Sequence, residues 1–416
     1  MRTTTIALTV LLGSSIAAQA PPTPRAGAFD PARTAVIDRG LQRYVDSDRV
    51  AGLVALVMQD GQVVYEKALG WADKDAGRRM TTDTIFRIAS QTKALTSAAI
   101  MQLVEDGSLT LNTRAGNFIP SFARTTVAVA SERGTVTQVP ARRPITIRDL
   151  LTHTAGISYG TDPSVAAMYE AKGLGPAAGF GWYTADKTEP VCDTMERLGT
   201  LPFVAQPGDA WVYGYNTDIL GCIVEKASGM PLDAYLRDRI TVPLGMKDTQ
   251  FFLPAAQKDR LATVYASADG KFVRAPDGAR GQGAYVEGPR RSFAGGAGLL
   301  STARDYARFL EAMRRGGSLD GTRVLSPLSV RLMSTNQVGT LHSANGLGFG
   351  LGFETVDRFG ANGMSGEGAF GWGGAYGSMY RVDPEQRLVM VLMIQLIPNA
   401  TDLGQVFPSL VYQALR

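Results

Sequence analysis

The order of patterns along the chain constrains its fold more than any single motif: strand-like runs occur at both ends, and helical periodicity fills the middle. Residues 34–46 carry Val36, Ile37, Leu41 and Tyr44 on one helical face. Residues 53–58 and 63–69 are β-rich and joined by Gln59-Asp60-Gly61-Gln62, and Asp-Gly between such runs marks a hairpin. The far end mirrors this, with strand-like runs at 375–382 and 388–395 joined by Asp383-Pro384-Glu385-Gln386, then a helix over 402–415. In between, Thr302 and Asp305 form the pattern of a capping box opening a helix that Gly316 stops. One antiparallel sheet assembled from both ends, with a helical insertion packed beside it, accounts for this order. The 416 residues are enough for two domains: a sheet domain over 25–80 and 290–416, and a mainly helical domain over 81–289.

Composition excludes several function classes. A 45% hydrophobic content supports a full core, which a disordered chain could not build. The net charge is +4, without a basic block or aromatic-interleaved Lys/Arg run, so nucleic acid is not an expected partner. Two histidines and no Cys-x-x-Cys leave no metal-ligand pattern, and no cofactor is implied. Met1-Arg2, the apolar stretch 6–18 and the small residues Ala17, Ala18 and Ala20 read as an export signal over 1–20. No later run is apolar enough for a stable membrane span, so a periplasmic or secreted protein is expected. There Cys192 and Cys222 could pair, although Cys222 lies in an apolar helical run where a plain buried thiol fits equally well. Nothing in the sequence sets an oligomeric state.

The chemistry-bearing segment is Ser90-Gln91-Thr92-Lys93, at the start of a helix running to Glu105. One turn apart, Ser90 and Lys93 share a helix face. A serine hydroxyl needs a base to take its proton, and a desolvated lysine at a helix start loses preference for its charged form. The Ser90 N–H there is available to a developing oxyanion. By itself Ser-x-x-Lys also describes an N-capping serine beside a surface lysine.

Further motifs follow in order: Leu150-Leu151-Thr152-His153-Thr154-Ala155-Gly156, Tyr213-Gly214-Tyr215-Asn216, Gly295-Gly296-Ala297-Gly298 and Trp372-Gly373-Gly374-Ala375. Together with Ser90-x-x-Lys93, they resemble the serine β-lactamase and penicillin-binding-protein superfamily, in particular its class C-like esterase branch, the family VIII carboxylesterases. The resemblance runs from about residue 30 to the C-terminus. It implies an α/β sheet domain (α+β type, antiparallel sheet flanked by helices), an all-helical domain, and an active site in the cleft between them. Carried over, Ser90 is the acylated nucleophile, Lys93 its base partner and Tyr213 a second proton shuttle. Ala375 would complete the oxyanion hole with Ser90, and Tyr215, Trp372, Gly373 and Gly374 would contact substrate.

The departures from that pattern have consequences. Tyr215 stands where the lactamases carry the asparagine of Tyr-x-Asn, and Trp372 and Gly373 replace a lysine and threonine that bind an anionic carboxylate. Losing that cation disfavours β-lactams and peptide stems, and an indole favours a neutral acyl or alcohol group. A small-molecule ester is therefore the expected substrate. A β-lactamase, a D-peptidase or amidase, an acyltransferase and a catalytically silent envelope-binding protein are the alternatives. Gly156-Ile157-Ser158-Tyr159-Gly160 also fits the nucleophile elbow of α/β-hydrolases, but its flanks do not read as strand and helix. His153 reads as a packing and hydrogen-bonding residue and His342 as a surface-loop residue. Met168, Tyr169, Phe180, Trp182 and Tyr183 could line an acyl pocket or cap the helical part.

Overall fold

A computed structural model describes residues 27–130, 135–174, 185–268, 271–279 and 281–416. The segment 1–20, and with it the export signal, lies outside the described residues, as do Phe180, Trp182 and Tyr183. Helix α1 (Thr34–Asp46) buries Ile37, Leu41 and Tyr44. It leads into β1 (Gly52–Gln59), β2 (Gln62–Asp73) and the short β3 (Arg78–Arg79). Asp60 and Gly61 turn the β1–β2 hairpin with φ of 52° and 81°, the left-handed pair that a two-residue hairpin of this twist requires.

The middle of the chain is dominated by helices, among them α2 (Thr92–Glu105), α3 (Ile147–Leu151), α4 (Val191–Leu198), α5 (Asn216–Ser228) and α6 (Ala303–Arg314). The chain then returns to strands: β4 (Leu347–Phe349), β5 (Glu354–Val356), β6 (Phe370–Gly373), β7 (Met379–Asp383) and β8 (Leu388–Met393), closed by α7 (Leu403–Tyr412). These form one eight-stranded antiparallel sheet in the order β4-β5-β6-β7-β8-β1-β2-β3. The two chain ends meet at its centre, where β1 pairs with β8 from Val54↔Met393 to Gln59↔Leu388.

Every residue of β1 is buried, because both faces of the sheet are covered. Val54, Leu56 and Met58 face a core shared with Leu95 of α2 and Phe309 of α6. The alternate residues Leu53, Ala55 and Val57 pack against Ile37 and Leu41 of α1 and Phe407 and Val411 of α7. Each such Leu or Val contributes about 1.5–3 kcal/mol by leaving water. Helix α2 is buried on all sides from Thr92 to Leu103, which makes it the central post of the molecule and fixes Ser90 and Lys93 at its upper end. Among the described residues no helix is long and apolar enough to cross a membrane.

Three local expectations change. The run 375–382 is not one strand. Ala375 sits in a turn closed by Gly377 N–H to Gly374 O (2.9 Å) and Gly374 N–H to Ser378 O (2.7 Å), and β7 begins only at Met379. At the start of α6 only half of the capping box forms. Thr302 accepts from the Asp305 N–H, but the Asp305 carboxylate turns to the Asp248 N–H (2.7 Å) and Thr249 Oγ1 (3.1 Å). A complete box caps α3 instead, between Thr146 and Asp149. The open question of the cysteines is resolved by a disulfide between Cys192 of α4 and Cys222 of α5.

Candidate active site

Ser90 lies in a single 3-10 turn, Ala89–Gln91, that runs into α2. The residue before it, Ala89, has φ +44°, a conformation that L side chains adopt at a cost of order 1–3 kcal/mol and that concentrates at functional sites. The turn and α2 make no side-chain cap, so the N-capping reading of Ser90 does not hold and its hydroxyl is left for other work. As an early residue of a helical start, Ser90 has an amide N–H without an intrahelical acceptor.

Lys93 is 3% exposed. Its Nζ lies 3.2 Å from Ser90 Oγ, 2.9 Å from the Tyr159 hydroxyl and 2.6 Å from the Gly296 carbonyl. It also sits 4.8 Å from the centre of the Tyr213 ring. The carbonyl can only accept, so one N–H of the amine is committed to Gly296, whatever the amine's charge.

Tyr213, in the segment leading into α5, is half-buried, and its hydroxyl accepts the indole N–H of Trp372 at 3.1 Å. Trp211 stacks on Tyr213 with the rings 5.8 Å apart and nearly parallel. Tyr159 is the participant that sequence reasoning passed over. The Gly-x-Ser-x-Gly pattern drew attention to Ser158, but that serine is 5% exposed and its Oγ accepts the Gly160 N–H at 3.1 Å in a local turn. Helix α3 rather than a strand precedes it. The signal that could have found Tyr159 is its place next to the Leu-Leu-Thr-His-Thr run: the left-handed turns at His153 and Gly156 bring that segment back over α5.

On the opposite side, β6 ends at Gly373 and the backbone passes close to the nucleophile. A Cβ on Gly374 would meet the Ile88 carbonyl oxygen at 2.6 Å, so only glycine permits this approach. Ser90, Tyr213, Trp372, Gly373, Gly374 and Ala375 line one open cavity of about 440 Å³, together with Glu354 and Arg381. A second cavity, about 540 Å³ and lined by Phe251, Phe252 and Phe293 among others, contains none of Ser90, Lys93 and Tyr213 in its wall.

Tyr215 is not part of that wall. It is 4% exposed, its hydroxyl donates to the Leu174 carbonyl at 3.2 Å, and its ring packs edge-on against Tyr159. A substrate-contacting role for Tyr215 is therefore corrected to a support behind Tyr159. Tyr169 is fully buried and belongs to the core, while Met168 packs partly buried against it. His153 is buried, with Nδ1 2.9 Å from the Asn216 amide nitrogen. Burial, with the charge of Lys93 adding to it, pushes its pKa well below the usual imidazole value, so it is neutral. His342 is not a surface residue. Its side chain is 11% exposed, its Nε2 lies 3.1 Å from Glu354 Oε2, and its ring meets Trp211 edge-on at 4.4 Å. The apolar neighbours Trp211 and Phe349, hidden from local sequence, draw it inward.

A sheet built from both chain ends, a buried helix presenting a serine and lysine one turn apart, and a tyrosine held over that lysine define a protein of the β-lactamase family. The chain belongs to that family, whose pattern, described as Beta-lactamase, matches residues 37–406. Among its relatives, Protein Rv1367c of Mycobacterium tuberculosis is 35% identical over 86% of this chain and 89% of that protein. Esterase EstB of Burkholderia gladioli is 33% identical over 89% of this chain and 92% of its own. Among solved structures, EstCE1, described as a hydrolase with promiscuous acyltransferase activity, superposes with a TM-score of 0.76 at 26% identity, covering 92% of this chain and 98% of that one.

Proposed function

We propose that this protein cleaves carboxylic esters through an acyl-enzyme on Ser90. The observation that carries the reading is the 3.2 Å contact between Lys93 Nζ and Ser90 Oγ at the floor of an open cavity. The ester carbonyl enters between the N–H groups of Ser90 and Ala375. Lys93, as the free amine, takes the Ser90 proton while Oγ attacks the carbonyl carbon, and the resulting oxyanion is held by the two amides. Tyr213 donates its phenolic proton to the departing alkoxide and recovers it from Lys93. Because an indole N–H can only donate, Trp372 leaves the Tyr213 proton free for this donation and steadies the phenolate that remains. Water then repeats the relay in reverse and releases the acid.

The ester class is supported by the wall of the cavity: Trp372 and glycines stand where an anion-binding lysine and threonine would select β-lactams. Esterase EstB as a relative supports the same class. On a short-chain substrate such as p-nitrophenyl butyrate, Ser90→Ala is expected to abolish turnover, and Lys93→Ala to lower it by about 10²–10⁴-fold with the fold intact. Ester turnover should greatly exceed nitrocefin turnover. Activity that survives Ser90→Ala but disappears in Ser158→Ala would overturn the assignment. The description of EstCE1 favours a second reading, transfer of the acyl group to an added alcohol in place of water, which product analysis with alcohol present tests. Export to an oxidising compartment is proposed on the pattern of residues 1–20 and is supported by the Cys192–Cys222 disulfide; sequencing the N-terminus of the mature protein tests it.

A further inference from the structure

Across the Gly296 peptide from Lys93, and not in the wall of the Ser90 cavity, lies a buried acid that the ester mechanism does not use. Asp218 of α5 is 1% exposed. Its Oδ1 accepts the N–H of Gly296 at 3.0 Å, and the carbonyl of the same Gly296 accepts Lys93 Nζ at 2.6 Å. Its Oδ2 has no hydrogen-bond partner among the described residues. A carboxylate with an idle, buried oxygen is costly to the fold, and a purely structural acceptor for one N–H does not require it. The surroundings are built around it: a Cβ on Gly296 would collide with its carboxylate, and Thr96 of α2 holds the neighbouring Gly295 carbonyl at 2.9 Å.

We infer that Asp218 is a positioning residue for Lys93: through the Gly296 peptide it fixes the carbonyl that anchors the amine, and its charge favours the proton that this amine takes from Ser90. The inference rests on the proposed Ser90–Lys93 chemistry and adds to it a regulator of that base. The charged and titratable groups that act on Asp218 are Lys93 from α2, Lys187 from the segment before α4, and Tyr215 ahead of α5. Lys187 is 3.5 Å from Glu189, which shares its charge, so Lys93 is the cation that answers Asp218. Burial pushes the Asp218 carboxyl above the usual carboxylate value, and Lys93 offsets only part of that rise. The peptide between them keeps acid and amine from exchanging a proton directly, so the carboxylate acts on Lys93 by its field and by holding its acceptor.

The sign follows from charge. A carboxylate near Lys93 attracts the proton that the amine accepts from Ser90, so removing it weakens that acceptance. In Asp218→Asn the acid limb of kcat/KM for p-nitrophenyl butyrate is expected to move to lower pH by about one unit or more, with the plateau reduced about tenfold. Asp218→Ala loses the Gly296 anchor as well and falls further. Gly296→Ala keeps the carboxylate but displaces it, and the same downward shift is expected, which covers the case in which Asp218→Asn fails to fold. A pH profile of a folded variant that superimposes on that of the unaltered enzyme would sink the inference, because a merely structural Asp218 changes stability and not the position of the limb. Ser90→Ala run alongside separates the two ideas: full turnover there defeats the esterase reading, whereas an inactive Ser90→Ala with an unshifted Asp218→Asn profile defeats only the role of Asp218.

Discussion

The indole N–H of Trp372 donates to the hydroxyl of Tyr213 at 3.1 Å, tying the wall of the substrate cavity to the residue proposed to protonate the leaving group. Trp372 also packs edge-on against Phe349 and Trp211, so its ring orientation is set by neighbours as well as by this bond. Trp372→Phe keeps most of the packing and removes the donor. A hydrogen bond to a group that becomes charged contributes about 1.5–3 kcal/mol, so kcat should fall about 10–100-fold while KM changes little. Steady-state kinetics on p-nitrophenyl esters check it; a change confined to KM would mean that the indole only shapes the pocket.

Tyr159 and Tyr213 both approach Lys93, but differently: one offers its hydroxyl at 2.9 Å, the other its ring face at 4.8 Å. Tyr159→Phe removes a fixed partner of the amine and leaves the base less well aimed, with kcat/KM expected to drop about tenfold. Tyr213→Phe removes the proposed acid itself and should cost about 10²–10⁴-fold. Equal losses in the two variants would show that the relay runs through both hydroxyls.

At Gly374 the backbone comes so close to the Ile88 carbonyl that an added methyl must move one of them. Gly374→Ala is expected to shift the Gly374–Gly377 turn that carries the Ala375 N–H, lowering kcat by about 10²-fold, the magnitude associated with one lost oxyanion donor. Gly374 is partly exposed, Ala375 is exposed, and the one buried side chain of the turn, Tyr376, packs in a small cluster apart from both main cores, so thermal unfolding should change little. A matching loss of stability would mean that the effect is on folding instead.

The fold was readable from sequence to the extent that local periodicity reports it. Residues 34–46 became α1 over those same residues, and the Asp60-Gly61 turn formed where the β-rich runs required it. The meeting of β1 with β8 follows from the placement of strands at both ends. What was not readable depended on contacts between distant segments. Asp305 abandons its cap for the Asp248 N–H, and Tyr159 reaches Lys93 from 66 residues away. His342 leaves the surface because Trp211 and Phe349 offer a better place for its ring. Ser90 and Lys93 were visible because one helical turn already brings them together, whereas Tyr215 failed as a wall residue because the step into α5 turns its side chain inward.

His153 makes the protein sensitive to acid for a reason separate from catalysis. The ring is buried among Tyr213, Trp211 and Phe349, and its Nδ1 faces the Asn216 amide, which can only donate through its nitrogen. Nδ1 is therefore an acceptor and the proton sits on Nε2. Burial and the Lys93 charge hold the folded-state pKa well below 6.5, so the unfolded chain binds a proton that the folded chain refuses. Stability from this residue is complete above about pH 6.5 and is lost as the pH falls below it, at about 1.4 kcal/mol per pH unit until the folded-state value is reached. In His153→Asn the carbonyl oxygen can take the place of Nδ1, and asparagine tolerates the left-handed backbone at φ +58°. The variant should be less stable at pH 7.5 but lose less between pH 7.5 and 5 than the unaltered protein. Urea unfolding at both pH values measures this, and parallel losses in the two proteins would assign the acid sensitivity to other groups.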